Sequence, residues 1–313
     1  MKSMRSKEPL EDDRSKGGPP WIDPRIQQQV KWRDGDIVIS VPLKSGTTWV
    51  MNIVYQLLTG GSSAFQDIYA EVPWIECLSY PGQPIQEVLD KVEAMPTDKR
   101  RAFKTHSAPP SIPFIEGSSG RNVKYIVVAR NPEEALVSLR PFLEQHTDDW
   151  FDLWRVDRQF LCRPDFPSFY REVIDPNAYQ EMFFGFLSAW WPLRHDRNVL
   201  LLHYSNMKRD RESAIGGIAN FLGIHPTPDQ CRRILEYTSF DWMKQHEELF
   251  EIRTVCKVPM LKTGAMVRRG QVGNSTADGM TDEIKDHLRN VGRTIVADER
   301  ALQWLYEGGD LRS

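Results

Sequence analysis

The stretch at residues 38–58 joins an apolar run, a short polar loop and a helical pattern without interruption. Residues 37–40 are apolar enough to predict a buried strand, and from Thr47 onward the apolar residues recur at the spacing of one helix face. The first N–H groups of a helix lack backbone partners, and the helix dipole favours negative charge there. The pattern therefore predicts a phosphate or sulfate site, in preference to a turn whose hydroxyls only cap the helix.

The loop between strand and helix carries the donors that an anion needs. Lys44 supplies a full charge, Ser45, Thr47 and Thr48 supply hydroxyl groups, and Gly46 lets the backbone approach a ligand closely. In a Walker A loop the lysine directly follows the second glycine, whereas here it precedes the glycine. A P-loop phosphotransferase, which also needs Mg²⁺-binding carboxylates, is therefore the weaker alternative.

Composition narrows the class of protein further. The chain has 313 residues, 40% of them hydrophobic, and a formal net charge of -3, which gives no case for a nucleic-acid partner. Its four cysteines form no CxxC pair and predict no metal framework. No apolar run is long enough to span a bilayer. We expect a cytoplasmic protein with a flexible tail over residues 1–20 and a single domain over 21–313.

Buried apolar runs alternate with helical patterns along the chain. Strands are predicted at residues 37–40, 101–106, 122–129 and 198–203. Helices are predicted at 47–60, 85–94, from 132, and at 179–191, 213–222, 229–237, 240–250, 282–290 and 298–307. This alternation predicts an α/β fold with a central, mostly parallel sheet flanked by helices. Residues 141–180 show no clean period, and we expect a lid or binding loop there.

Polar side chains stand at the predicted end of each strand, where ligands bind in such sheets. These are Lys44, His106, Arg130 and Tyr204, and together they suit one anionic pocket. With a reference pKa of roughly 6.5, His106 suits a general base, although an isolated histidine is more often a satisfied core or surface residue. Lys104, two residues earlier on the same strand face, is expected to add positive charge.

Three of these segments also resemble a known family. SVPLKSGTTW at residues 40–49 resembles TYPKSGTTW, the 5′-phosphosulfate loop of the cytosolic sulfotransferases. FKTH at 103–106 is similar to the segment that carries their catalytic histidine, and YIVVARNP at 125–132 resembles their 3′-phosphate motif. The resemblance implies a P-loop-like sulfotransferase fold. It also implies transfer of a sulfuryl group from 3′-phosphoadenosine 5′-phosphosulfate (PAPS) to a hydroxyl of a small acceptor, without a metal.

The family match assigns roles to individual positions. His106 would be the base, Lys44 would stabilise the leaving phosphate oxygen, and Arg130 with Ser138 would bind the 3′-phosphate. LLLHYSNMK at residues 200–208 and YTSFDWMK at 237–244 resemble the segments around the adenine. The implied donor site comprises Lys44, Ser45, Gly46, Thr47, Thr48, Trp49, Arg130, Ser138, Tyr204, Thr238, Phe240, Arg268, Arg269 and Gly270.

Simpler interpretations stay open for several of these residues. Trp49 and Phe240 are equally consistent with core aromatics, and Arg130 with a surface ion pair to Glu133 or Glu134. RRGQVGN at 268–274 resembles the family's RKGxxGDWKN, but its Asp-Trp-Lys part is replaced. A non-catalytic nucleotide-binding protein is therefore an alternative.

The sequence constrains the oligomeric state and the identity of the acceptor less strongly. The family's short dimer motif has no clear counterpart, so a homodimer is possible but not indicated. Residues 70–85, 141–183 and 244–265 are expected to shape the acceptor pocket, and their aromatic content predicts an apolar or aromatic acceptor.

Overall fold

Four parallel strands form the centre of the molecule in a computed structural model, which describes residues 18–117, 120–268, 270, 273 and 275–311. Most of the tail predicted over residues 1–20 lies outside these ranges. The strands are β1 (Ile37–Ser40), β2 (Ala102–Thr105), β3 (Lys124–Ala129) and β4 (Val199–His203), in the spatial order β2-β1-β3-β4. The predicted α/β fold with a mostly parallel sheet is confirmed.

Helices pack on this sheet, and β1 is fully buried beneath them. None of the helices in the described ranges is both long and apolar enough to cross a bilayer. Their bounds are α1 (Arg25–Gln29), α2 (Thr47–Thr59), α3 (Ile68–Glu71), α4 (Ile85–Glu93), α5 (Pro132–Leu143), α6 (Asp148–Trp154), α7 (Arg158–Leu161), α8 (Phe166–Phe169), α9 (Glu181–Trp190), α10 (Tyr204–Arg209), α11 (Arg211–Leu222), α12 (Pro228–Tyr237), α13 (Phe240–Gln245), α14 (Asp282–Ile295) and α15 (Glu299–Glu307).

Short helices occupy much of residues 141–180, where a loop was predicted, so that prediction was wrong. The helices α6, α7 and α8 span four to seven residues each, too few to show a helical period. Their starts are nevertheless marked by capping side chains, since Thr147, Asp157 and Asp165 each accept a backbone N–H of the following turn. The helix predicted at 240–250 ends at Gln245 and continues as a 3₁₀ turn over Glu247–Phe250.

A buried ion pair ties the start of β1 to the start of β2. The guanidinium of Arg101 donates to both carboxylate oxygens of Asp36, at 2.9 and 2.6 Å. Its other N–H groups donate to the carbonyl oxygens of Val92 and Lys31, each at 3.0 Å. Both charged side chains are almost fully buried. Because the pair is hydrogen-bonded throughout, it supports the strand register that aligns the far ends of β1 and β2.

Candidate active site

The loop between β1 and α2 is held by contacts from two other strand ends. Lys44 and Gly46 both have positive φ angles, 61° and 91°. A Cβ placed on Gly46 would lie 2.7 Å from the ring of Tyr204, so only glycine fits there without displacement. The carbonyl oxygen of Lys44 accepts a hydrogen bond from Nη1 of Arg130 at 2.6 Å. This loop therefore has one tightly defined conformation.

No side chain caps the start of α2. The hydroxyl of Thr48 instead pairs with the phenol of Tyr69 at 3.2 Å, and Ser45 Oγ lies 3.4 Å from the carbonyl oxygen of Leu43. The alternative in which the loop hydroxyls only cap the helix therefore fails. The first turn of α2 keeps its capacity to bind an anion.

The environment of Lys44 favours the neutral form of its amine. Its Nζ is 4.0 Å from the ring centroid of Phe142. Burial lowers the pKa of the ammonium group to about 7, and the nearby cations Arg268 and Arg130 lower it in the same direction. Since an anion bound in the loop would offset both effects, this lysine is suited to gain its proton together with a phosphate.

His106 points one ring nitrogen at the protein backbone. Its Nδ1 lies 2.6 Å from the carbonyl oxygen of Val41. A carbonyl oxygen only accepts, so Nδ1 carries the proton and Nε2 keeps its lone pair. Burial lowers the pKa of the ring well below its ordinary value, with Lys104 and Lys44 adding to the effect. The imidazole is therefore in its basic, neutral form at neutral pH.

Lys104 is placed against an aromatic ring and not in solvent. Its Nζ lies 2.9 Å from the ring centroid of Trp74, whose ring in turn meets His106 edge-on at 5.1 Å. Burial holds the pKa of the lysine well below its ordinary value, although Glu76 opposes the shift. The lysine therefore lies in a buried environment beside the proposed base, where burial opposes its charge and Glu76 favours it.

Glu76 is a site residue that sequence reasoning missed. Its Oε1 accepts from the backbone N–H of His106 at 2.8 Å and from the hydroxyl of Thr105 at 2.9 Å. Its Oε2 is buried and has no hydrogen-bond partner among the described residues. The only sequence signal was an acidic residue inside an otherwise apolar segment at 72–78.

Arg130 both forms an ion pair and faces the predicted donor site, the two roles considered for it from the sequence. Its Nε and Nη2 lie 3.3 and 3.2 Å from one carboxylate oxygen of Glu134, which is the ion pair considered as an alternative. The guanidinium also lies over the ring of Tyr204, with Cζ 4.5 Å from the centroid. Both Arg130 and Ser138 face the same cavity as Lys44. The ion pair therefore orients the guanidinium without removing it from the site.

The predicted adenine-binding aromatics Trp49, Tyr204 and Phe240 all line the same cavity. The indole N–H of Trp49 donates to the carbonyl oxygen of Thr238 at 2.9 Å, and its ring meets Tyr204 edge-on at 5.9 Å. Phe240 covers Gly270, where an added Cβ would lie 2.6 Å from the phenyl ring. These rings have the flat, partly open surfaces on which a base can stack.

One cavity of about 550 Å³ brings nearly all of these groups together. Among the predicted site residues in the described ranges, Ser45 alone is absent from the lining, and its hydroxyl is turned toward Leu43. Arg269 lies outside the described residues. The wall also includes aromatic side chains outside the predicted donor and catalytic residues: Trp21, Tyr69, Trp74, Phe142, His146 and Trp150.

Each of the three segments expected to shape the acceptor pocket reaches this cavity. Trp74 comes from residues 70–85, Phe142 and Trp150 from 141–183, and Met260 from 244–265. In the described part of the chain, no group of three or more His, Cys, Asp or Glu is arranged to hold a metal ion.

Comparisons with known proteins identify relatives of this chain. A model of the sulfotransferase domain matches residues 34–303. Rat sulfotransferase 1A1 is 29% identical over 224 residues, which cover 71% of this chain and 70% of the relative. Mouse sulfotransferase 1E1 is 24% identical over 266 residues, covering 82% and 83%.

Solved structures show the same fold. Mouse sulfotransferase SULT7A1, crystallised with PAP, superposes with a TM-score of 0.65 at 20% identity over 90% of this chain and 92% of that chain. A retinol dehydratase in complex with androsterone and the inactive cofactor PAP gives a TM-score of 0.59 at 19% identity, over 92% of this chain and 85% of that chain.

Proposed function

This chain belongs to the sulfotransferase family, and on that premise we propose that it transfers a sulfuryl group from PAPS to a hydroxyl of a small, apolar or aromatic acceptor. One observation carries the proposal. The ring of His106, whose Nε2 keeps its lone pair, and the anion loop at Lys44 line one cavity whose wall also includes aromatic and aliphatic side chains. A base, an anion site and an apolar pocket are the three parts that such a transfer requires.

The residues of the cavity fit this nucleotide. Gly46 allows the tight loop at the start of α2, whose first N–H groups can bind a phosphate, and Arg130 and Arg268 add guanidinium groups for a second phosphate. Trp49 and Phe240 supply ring faces for a base. The mouse SULT7A1 structure contains PAP, and we extend that ligand class to this chain. When bound, PAPS supplies the sulfuryl group.

Residues of this chain can accept the proton of the acceptor hydroxyl and stabilise the negative charge that grows on the phosphate. His106 Nε2 accepts the proton of the acceptor hydroxyl, and the Val41 carbonyl stabilises the imidazolium that results because it already holds Nδ1–H. Lys44 places positive charge beside the phosphate oxygens, where negative charge grows during transfer. Trp74 and Phe142 line the cavity beside these groups and limit the access of water, which strengthens both electrostatic effects.

The broader setting follows from the sequence and from the relatives. The relatives reported above are sulfotransferases, and we propose a cytoplasmic location like that of the family the sequence resembles. The single domain over residues 21–313, the lack of a nucleic-acid partner and a possible homodimer stay predictions.

A direct test uses the full chain with ³⁵S-labelled PAPS and parallel panels of phenols, steroids and long-chain alcohols. We expect labelled sulfate in an organic ester for at least one panel, and equal turnover in EDTA. Nucleotide binding without transfer to any acceptor would instead favour a non-catalytic nucleotide-binding protein. Mg²⁺-dependent transfer of a phosphoryl group from ATP, with no labelled ester from PAPS, would favour a phosphotransferase.

A further inference from the structure

His146 is a second imidazole on the cavity wall, and neither donor binding nor proton transfer uses it. The side chain is 4% exposed. Its ring lies between Trp150, at 4.3 Å between centroids, and Phe142, at 5.3 Å. Phe142 is also the ring beneath the ammonium group of Lys44. The imidazole therefore belongs to the acceptor end of the cavity, next to the reacting centre.

The hydrogen bonding of His146 leaves one nitrogen open. Nδ1 lies 3.0 Å from the carbonyl oxygen of Leu143, so Nδ1 carries the proton. Nε2 has no hydrogen bond to any described residue, and it is not among the buried unpaired atoms of the described chain. Because the ring lines the cavity, Nε2 presents a lone pair to a ligand.

The same environment keeps this nitrogen an acceptor. Burial lowers the pKa of His146 to about 4, while the backbone carbonyls of Leu143 and Phe142 oppose that shift. At neutral pH the ring is therefore uncharged. His106 has the same arrangement, with Nδ1 held by a backbone carbonyl and Nε2 free to accept. The cavity thus contains two neutral imidazoles that both accept hydrogen bonds.

Charge in the described lining argues against a cationic acceptor. The acidic residues there are Glu134, Asp241 and Asp278. Glu134 lies beside Arg130, Asp241 lies in the helix that begins at Phe240, and Asp278 lies in the segment after Gly273. All three positions belong to the part of the cavity that is predicted to bind the nucleotide. The acceptor end contributes aromatic rings, two neutral imidazoles and the amines of Lys44 and Lys104. An ammonium group placed there would find no carboxylate among the described lining residues, since Glu76 lies behind His106 and outside the lining.

We propose that the acceptor is an uncharged phenol or alcohol with a second hydroxyl group, which donates to Nε2 of His146 while the reacting hydroxyl donates to Nε2 of His106. This inference rests on the proposed sulfotransferase activity and narrows its substrate class. A monohydroxy acceptor in the same pocket displaces water from Nε2 of His146 but donates no hydrogen bond to it. Such an acceptor therefore binds less well.

Matched pairs of acceptors test the inference at several lengths. The pairs are hydroquinone with phenol, 4-(2-hydroxyethyl)phenol with 4-ethylphenol, and 4,4′-dihydroxybiphenyl with 4-hydroxybiphenyl. For the pair whose length fits, we expect kcat/KM to be about tenfold higher for the dihydroxy compound, the usual effect of one hydrogen bond in a desolvated pocket. Equal kcat/KM within all three pairs would overturn the inference.

Variants assign the preference to His146. His146→Phe keeps an aromatic ring between Trp150 and Phe142 but removes the acceptor, so the ratio is expected to fall to about one. His146→Gln keeps an acceptor atom and is expected to restore part of the ratio. Met260→Leu, on the neighbouring segment whose backbone pairs with Thr147, controls for a change of shape and should leave the ratio unchanged. A ratio that survives in His146→Phe would contradict the assignment.

A binding measurement tests the role of His146 separately from the proposed sulfotransferase activity. If the chain transfers sulfate to no acceptor, the activity proposal fails. The same pairs are then compared by equilibrium binding in the presence of PAP. A tenfold tighter Kd for one dihydroxy compound, lost in His146→Phe, supports the recognition of a second hydroxyl, and equal Kd values refute it.

Discussion

The Nδ1 atom of His106 lies 2.6 Å from the carbonyl oxygen of Val41, the residue that follows β1. The N–H of Val41 donates in turn to the carbonyl oxygen of Thr105, at 3.1 Å, directly before the histidine. The pairing of β1 with β2 therefore continues into the side chain of the proposed base. It sets the tautomer and the direction of Nε2 without any carboxylate on the ring.

Replacing Gly46 with alanine is expected to weaken nucleotide binding at least tenfold. The new Cβ meets the ring of Tyr204 at 2.7 Å, and alanine is strained at a φ of 91°. Calorimetric titration with PAP measures the effect. Gly82→Ala is a matched control, because Gly82 also has a positive φ, 76°, but has no atom within 4 Å of an added Cβ. Equal Kd values for the two variants would contradict the account of the loop.

Glu76 is predicted to be a positioning residue for His106. Glu76→Ala removes the acceptor of the His106 N–H, and we expect kcat to fall about 10- to 100-fold, since hydrogen bonds to charged groups contribute about 1.5–3 kcal/mol. Glu76→Gln keeps an acceptor oxygen and should retain most of kcat. PAP affinity should change less than twofold in both. A Glu76→Ala enzyme with unchanged kcat would show that the carboxylate only serves folding.

The pKa of Lys44 makes nucleotide binding depend on pH. With its pKa lowered to about 7, the lysine of the free protein is mostly neutral at pH 8, whereas bound phosphates favour the charged form. Binding of PAP at pH 8 should therefore take up about one proton, and affinity should fall by up to about tenfold per pH unit above 7. Calorimetry in two buffers of different ionisation enthalpy measures the proton uptake.

Lys44→Arg provides the control for that prediction. An arginine stays charged throughout this range, so the proton uptake should disappear even where binding survives. The same uptake in Lys44→Arg would assign the titration to another group.

The ion pair of Asp36 and Arg101 is predicted to be essential for stability. Asp36→Ala leaves a buried guanidinium without its carboxylate, and we expect a loss of about 3–5 kcal/mol in the free energy of unfolding. Asp229→Ala removes the exposed pair with Arg232 and should cost at most about 1 kcal/mol. Urea unfolding compares the two, and similar losses would show that burial does not decide the contribution.

The strands and the loop at Lys44 that lines the cavity were accessible from sequence because their signals are local. Ile37, Val38 and Ile39 form a continuous apolar run, and the lysine, glycine and hydroxyls of the next loop stand together in the chain. Trp74 and Glu76 gave no such signal. They reach the site because their segment pairs with β2, where Ile75 N–H donates to the Lys104 carbonyl at 3.1 Å, and that pairing depends on tertiary structure.

His146 was missed for a related reason. It follows α5 and precedes α6, and its neighbours in the cavity come from both helices. Its place in the wall depends on how short helices pack, which a periodicity search over residues 141–180 does not detect.

His106→Ala tests the central claim most directly. The measurement is the single-turnover transfer of ³⁵S-labelled sulfate from PAPS to an accepted phenol, with PAP affinity determined on the same samples. We predict that the variant loses about 10²- to 10⁴-fold in the transfer rate while its PAP affinity stays within about twofold of the native value. Transfer at the native rate by His106→Ala would contradict the mechanism.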